Sequence, residues 1–222
     1  MKRMRKKFPV ALVTGFDPFG GETINPSFAI AHALDGEIIA GHRIVGAELP
    51  TEFARSLPAL DASLRKHRPA LVIALGQAGG RSGISLERVA VNLIDARIAD
   101  NAGAQPVDVR IVENGANAYF STLPVKAMLS ALRTANIPAE LSQTAGSFVC
   151  NQVFYGLMHR LARARCAVRG GFIHVPFLPE QAQKFPGTAS MPLTTMIAAL
   201  RLCLETALTT KDDLHYAAGA TH

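Results

Sequence analysis

Along the chain, short runs of β-branched and aliphatic residues alternate with stretches whose apolar positions recur every three or four residues. The first pattern predicts strands at 8–14, 70–75, 89–93, 139–142 and 171–175, with 38–48 extended and broken as a hairpin at Gly41. The run 70–75 is apolar throughout, the mark of a strand covered on both faces. The second pattern predicts helices at 27–34 behind Pro26, at 51–66 with Thr51 as N-cap and Pro69 as the stop, at 122–135 opened by Thr122 and Pro124, at 150–165, and at 192–209. Strands alternating with helices predict a single α/β domain, a largely parallel sheet with helices on both faces. The pattern does not give the strand order. That domain is expected over 8–210, between a basic N-terminal tail at 1–7 and a C-terminal tail at 211–222.

Three segments resist the pattern: 15–26, 76–88 and 144–148. Each is rich in glycine and directly follows an expected strand. Ligands of open α/β sheets bind beyond the carboxyl ends of the strands, so these loops are expected to share one crevice.

Composition narrows the class. Hydrophobic residues make up 49% and charged residues 18%, the balance of a folded globule rather than a disordered chain. No apolar run is long enough to cross a bilayer, so no membrane partner is expected. A basic start followed by an apolar stretch resembles a signal peptide, but Pro9, Gly15 and the acidic, glycine-rich continuation give no cleavage site. Of the net charge of +6, Lys2, Arg3, Arg5, Lys6 and Lys7 carry nearly all, leaving a body close to neutral. A nucleic-acid binder needs a basic stripe on the folded body, and none is visible. Cys150, Cys166 and Cys203 form no CxxC pair, which argues against a disulfide framework and against zinc and fits a reducing cytosol.

Cys150 opens the helix whose apolar stripe is Val153, Phe154, Leu157 and Leu161. A helix start favours thiolate over thiol, and its free N–H groups could hold an oxyanion. Position alone leaves two readings: a nucleophile, or the first small apolar residue of the stripe. Cys166 and Cys203 have no such setting and read as structural. A thiol nucleophile needs a base within hydrogen-bond reach. His159 lies nine residues further along the same helix, about 13 Å away, and cannot serve. His174 ends the strand Phe172-Ile173-His174-Val175 before Pro176 and is either that base or a satisfied core histidine; His42 stays open. Glu87, between a glycine-rich loop and a strand, either orients the base or pairs with Arg81 or Arg88. There is no HExxH and no ligand-spaced His or Cys pair, so no metal is expected. The glycines satisfy neither GxGxxG nor a P-loop, which leaves nucleotide binding the weaker option.

Taken together, four segments resemble the pyroglutamyl peptidase type I family, the pyrrolidone-carboxylate peptidases. They are Thr14-Gly15-Phe16-Asp17-Pro18-Phe19-Gly20-Gly21 with Asn25-Pro26-Ser27; Gly76-Gln77-Ala78-Gly79-Gly80-Arg81 with Glu87-Arg88-Val89-Ala90; Thr144-Ala145-Gly146 with Phe148-Val149-Cys150-Asn151; and Gly170-Gly171-Phe172-Ile173-His174-Val175-Pro176. The similarity runs from about residue 10 to about residue 200, nearly the whole chain.

The resemblance implies a catalytic triad of Glu87, Cys150 and His174. It implies a three-layer α/β/α sandwich around a mostly parallel, mixed sheet, a cytoplasmic homotetramer, no cofactor, and substrates that are peptides with an N-terminal pyroglutamyl residue. It places the pyroglutamyl ring among Phe16, Phe19, Ile98, Phe148 and Val149, with Gln77, and less securely Asn25, as partner of the lactam amide. Backbone N–H groups at Arg97 and Cys150 would hold the oxyanion. A small flat lactam suits an apolar pocket with few polar anchors. The chain departs from the family at Ala99 and Ala116, where proline is usual or common. Two other readings remain for test: another small-amide thiol hydrolase on the same fold, and a nucleotide- or RNA-binding oligomer using the glycine loops and the basic tail.

Overall fold

The apolar run after Pro69 becomes the middle of the sheet: β4 (Leu71–Gln77) is buried at every position. A computed structural model of the chain describes residues 8–164 and 167–219; the basic segment 1–7 and Cys166 lie outside the described residues. The chain enters through β1 (Val10–Phe16) and α1 (Pro26–Leu34), then a hairpin of β2 (Ile38–Ile39) and β3 (His42–Leu49), then α2 (Ser56–His67). After β4 come β5 (Ile84–Glu87), β6 (Val89–Val91), β7 (Ala118–Phe120), α3 (Val125–Thr134) and β8 (Ala139–Ser142). The last elements are α4 (Val149–Ala164), β9 (Arg169–Val175), α5 (Pro179–Ala182) and α6 (Leu193–Thr209).

Seven strands form one sheet in the order β2-β3-β1-β4-β9-β5-β8. β3, β1, β4 and β9 run parallel, while β2 and β5 are antiparallel to β3 and β9, so the sheet is mixed but mostly parallel. Side chains of successive strand residues point to opposite faces, and the core divides accordingly. Ala11, Val13, Leu71, Ile73, Leu75 and Ile173 pack under α1, α3 and α6. Leu12, Phe16, Val72, Ala74 and Phe172 pack under α2 and α4. The result is the expected three-layer sandwich.

The topology also locates the crevice. From β1 the chain moves outward to β3, whereas from β4 it moves the other way toward β5, so the switch point falls at the carboxyl ends of β1 and β4. The loops after these two strands are two of the three glycine-rich segments expected to meet there; the third, 144–148, follows β8. α1 starts close over β1: a Cβ on Gly15 would stand 2.3 Å from the main chain of Ser27 and Phe28. Asn25 caps α1 by accepting from Ser27 N, and Ser27 Oγ in turn accepts from Phe16 N.

Several boundaries differ from expectation. Thr51 does not cap a helix; α2 begins at Ser56. Thr51 instead donates through its N–H to Asp17 Oδ1 and through its hydroxyl to Asp17 O, so a contact across the crevice displaces the local cap. Residues 84–87, expected within a loop, form β5 because β9 and β8 flank them and supply partners. The strand expected at 89–93 is β6, which leaves the main sheet to pair with β7. The segment after residue 210 is tied to the domain as far as Tyr216. Asp213 accepts from the N–H groups of Lys126 and Ala127 at the start of α3, and Tyr216 donates its hydroxyl to Lys126 O.

Because Asp213 acts as the missing cap of α3, Asp213→Ala should destabilise the protein by about 1 kcal/mol. That corresponds to a melting temperature lower by roughly 2–4 °C, measurable by calorimetry.

Candidate active site

Cys150 is the second residue of α4, and its sulfur comes down onto bare backbone. A Cβ on Gly76 would lie 2.9 Å from Cys150 Sγ and 2.8 Å from Phe172 Cζ, so only glycine lets the helix start approach β4 this closely. Gly76 is the register partner of His174 in the adjacent parallel strand. Paired residues of neighbouring strands, about 4.8 Å apart, face the same side of the sheet. His174 therefore projects beside the sulfur, on the α4 face, with the Phe172 ring 4.9 Å from its own. Cys150 and His174, the expected nucleophile and base, thus lie on the same face of the sheet over paired positions of β4 and β9.

Glu87 ends β5 and is fully buried, with His174 Nδ1 2.7 Å from its Oε1. A carboxylate only accepts, so Nδ1 carries the proton and Nε2 keeps its lone pair. Arg81 Nη1 donates to the same Oε1 at 2.7 Å, so both readings of Glu87 hold at once: it orients the imidazole and pairs with Arg81. The other oxygen, Oε2, is buried and has no partner among the described residues.

Burial decides the protonation states. It pushes the Cys150 thiol up to about 12, with Glu87 adding to the rise, against smaller opposing effects of Arg81 and of the residue's own backbone N–H. The helix start does not outweigh that, contrary to the expectation of a resting thiolate. Burial also lowers His174 below the usual histidine range, only partly offset by Glu87. At neutral pH the free site holds a thiol beside a neutral imidazole.

The other cysteine and histidine candidates separate cleanly. Cys203 is fully buried in α6 among the core residues, its thiol likewise pushed up to about 12 by burial. His159 receives or gives a hydrogen bond to Tyr119 Oη, and His42 sits at the start of β3, bonded to Ala40 O, at the opposite end of the sheet. Among the described residues no group of three or more His, Cys, Asp or Glu side chains is placed to hold a metal ion.

Around the sulfur, aromatic rings gather from three loops. Phe148 lies 6.4 Å from Phe19 and meets Phe53 edge-on at 5.2 Å, while Phe16 lies 6.5 Å from Phe172. Val149 is fully enclosed in the α4-side core. Ile98 is 48% exposed and, with Asp95, Arg97, Gly146, Ser147 and Phe148, lines an open hollow beside the nucleophile loop. That hollow is held shut at its base: Ser147 Oγ donates to Asp95 O, and Asn151 Nδ2 donates to Val91 O and Leu93 O.

Two amide side chains expected near the ligand are otherwise engaged. Asn25 accepts from Ser27 and donates to Asp17 O, so it builds the loop. Gln77 points to the opposite face from Cys150, where its Oε1 accepts from Gln181 of α5. Its main chain is better placed. Ala78 N–H donates to Val175 O, toward β9. Alternation along the strand then turns the N–H and C=O of Gln77 to the other edge, where β1 pairs with β4 only as far as Thr14 and Ala74. Gln181 and Phe53 were not legible as site residues, and Arg81 was legible only as a possible ion-pair partner of Glu87.

A half-buried thiol, a neutral imidazole and a buried carboxylate at the switch point of an α/β/α sandwich are the makeup of a thiol hydrolase. The chain belongs to the pyroglutamyl peptidase family, whose sequence model matches residues 10–210. It is 55% identical over 214 residues to pyrrolidone-carboxylate peptidase 1 of Ralstonia nicotianae, covering 96% of this chain and 100% of that protein. A pyrrolidone-carboxylate peptidase of Escherichia fergusonii is 53% identical over 211 residues, covering 95% and 98%. Among solved structures, pyroglutamyl peptidase I of Bacillus amyloliquefaciens superposes with a TM-score of 0.92 at 44% identity, covering 95% of this chain and 100% of that one. Pyrrolidone carboxyl peptidase of Thermococcus litoralis gives a TM-score of 0.91 at 39% identity, covering 94% and 99%.

Gly76→Ala tests the close approach of helix and strand. The added methyl has to push the sulfur away, and a displacement near 1 Å should lower peptidase kcat by about 100-fold. Circular dichroism should show the fold retained.

Proposed function

We propose that this protein is a cysteine omega-peptidase that hydrolyses the bond after an N-terminal pyroglutamyl residue, with Cys150 as nucleophile, His174 as base and Glu87 orienting the base. The observation that carries the reading is the seat of the Cys150 sulfur on Gly76, beside an imidazole whose far nitrogen is bonded to a buried carboxylate. Similarity to peptidases named for pyroglutamate and pyrrolidone carboxylate supplies the substrate class.

The resting protonation states set the order of events. Because the thiol is not ionised in the free site, His174 Nε2 takes its proton as the sulfur attacks the pyroglutamyl carbonyl. The imidazolium so formed is stabilised by Glu87 and then protonates the departing amine. Water, activated by the same neutral imidazole, hydrolyses the thioester. The N–H groups at Cys150, in the first turn of α4, and at Arg97, whose residue lines the hollow, are assigned to hold the oxyanion.

In this reading Phe16, Phe19, Phe148 and Ile98 wall the lactam, with Phe53 buttressing Phe148 and Val149 forming the floor. The unpaired main-chain edge of Gln77 offers one donor and one acceptor, matching the C=O and N–H of the lactam amide. A site built on such a pair rejects a ring lacking the carbonyl by several orders of magnitude. The reading also includes a cytoplasmic setting, which suits an enzyme that depends on a reduced thiol. It includes assembly into a homotetramer, for which the exposed Leu93, Val107, Val109 and Phe120 offer apolar surface.

With pyroglutamyl and prolyl anilides as substrates, the pyroglutamyl compound should be strongly preferred; preference for the prolyl compound would instead indicate a different small-amide hydrolase. Cys150→Ser and His174→Ala should each reduce kcat/KM by about 10³-fold or more, and Cys166→Ser should leave it nearly unchanged. Glu87→Gln should cost less, on the order of 10²-fold, because the amide oxygen still accepts from His174 and Arg81.

The pH profile gives a separate check. His174 works only when unprotonated, and burial lowers its titration. The acid limb of kcat/KM should therefore fall below pH of about 6.5, the ordinary histidine value. An acid limb well above that value would contradict a buried neutral base.

A further inference from the structure

Glu87 is 0% exposed, and an ionised carboxylate taken fully out of water needs a counter-charge. If His174 supplied that charge it would be an imidazolium and could not accept a proton. Arg81 resolves the conflict. Its guanidinium reaches in from the β4–β5 loop, only 23% exposed, and donates through Nη1 to Glu87 Oε1 at 2.7 Å. Through Nη2 the same group donates to Thr144 O at 2.9 Å. Thr144 belongs to the loop that leads into Cys150, where Ser142 Oγ donates to the same carbonyl and Gly146 N donates to Thr144 Oγ1. One planar fork thus spans the strand that carries the acid and the loop that delivers the nucleophile.

We propose that Arg81 is a positioning residue of the reaction: it fixes Glu87 against the loop that leads into Cys150 and sets a positive charge against the buried carboxyl that bonds His174. This rests on the assignment of Cys150 and His174 as nucleophile and base. The titratable and charged groups facing His174 are Glu87 from β5, Arg81 from the β4–β5 loop and Cys150 from α4; β4 contributes Gly76 and β9 itself Phe172. With Arg81 present the cluster is neutral in its resting form. Without it the cluster carries one negative charge and draws a proton onto the imidazole. Arginine and lysine are not equivalent here, because an ammonium matches the charge but not two acceptors held at the angle of the fork.

The test compares wild type with Arg81→Met and Arg81→Lys, using a pyroglutamyl anilide for turnover. Alkylation of Cys150 by iodoacetamide at fixed pH, followed by mass of the Cys150 peptide, serves as the substrate-free readout. For Arg81→Met, kcat/KM at neutral pH should fall about 10- to 100-fold, mainly in kcat, as part of what a positioned base contributes. Its acid limb should move up by roughly one pH unit, since a cation that opposed the imidazolium is gone. Alkylation of Cys150 should slow, because the same cation favoured the thiolate. Arg81→Lys should keep the acid limb near its wild-type position yet show a reduced kcat, and it serves where the methionine variant fails to fold. Turnover of Arg81→Met within twofold of wild type would overturn the proposal. So would a loss of turnover with neither the acid limb nor the alkylation rate moved, which is the signature of a merely structural contact. The alkylation result stands whatever the substrate, whereas full turnover by Cys150→Ser would sink the assignment of the nucleophile itself.

Discussion

Because Gly76 carries no side chain, the first turn of α4 settles onto β4 until the Cys150 sulfur occupies the space a methyl would fill, and most of the site follows from that seat. The register between β4 and β9 then decides what stands beside the sulfur. Slipping it by one residue would turn His174 to the other face of the sheet and bring Ile173 or Val175 forward instead. The antiparallel entry of β5 on the far side of β9 delivers Glu87 to the same imidazole. His174 and Glu87 are thus placed by strand register, and Cys150 by a helix start packed on the same sheet.

That arrangement carries an electrostatic cost that shapes the chemistry. Enclosing the thiol holds its proton on sulfur and enclosing the imidazole keeps it neutral, so charge separates only as the carbonyl is attacked. A polarised transition state is where fixed dipoles and a buried carboxylate matter most. In the proposed mechanism the helix start at Cys150 serves as a donor to the developing oxyanion rather than as a device for ionising the resting thiol. The second oxygen of Glu87, buried and without a partner among the described residues, marks how tightly the acid is committed to His174 and Arg81 through a single atom.

Much of this was legible in the sequence, and the boundary of legibility has physical causes. The uninterrupted apolar run at β4, the helical stripe after Cys150 and the strand ending at His174 follow from local periodicity, so the α/β class could be named and Cys150 and His174 singled out as candidates, each with a structural reading left open. The pairing of those residues could not be fixed by position alone; the resemblance to a family supplied it. β5 was missed because its apolar–polar alternation, Ile84-Ser85-Leu86-Glu87, is only four residues long behind a glycine-rich loop and becomes a strand through two neighbours. Thr51 misled because a side chain suited to cap the next helix is equally able to bond Asp17, thirty-four residues away. Gln77 was expected to meet the lactam through its side chain, but the alternation of its strand sends that side chain to Gln181, and only its main chain is left for the proposed contact. Arg81 looked like an ordinary ion-pair partner, since its second contact, to Thr144 O, is a tertiary one that no spacing encodes.

The two departures from the family pattern gain a different meaning in this context. Proline in a loop restricts the backbone, so alanine at 99 and 116 suggested looser walls. Ala99, however, is followed by Asp100, whose carboxylate accepts from Phe53, Ala102 and Ala104 and so clamps the turn from both sides. Asn101 then donates to Asp17 Oδ1 and Pro18 O, joining that turn to the loop that carries Phe19. The carbonyl of Ala116 is held by the Tyr155 hydroxyl of α4. Order that a proline would impose through its ring is here imposed by hydrogen bonds from buried side chains. The bonds of Asp100 and Asn101 meet at the loop that carries Phe19, whereas that of Tyr155 holds the segment before β7. In the proposed reading a flat ring beside Phe19 tolerates little drift of that loop, so buried Asp100 and half-buried Asp17, rather than residue 99 itself, carry the burden of keeping it in shape.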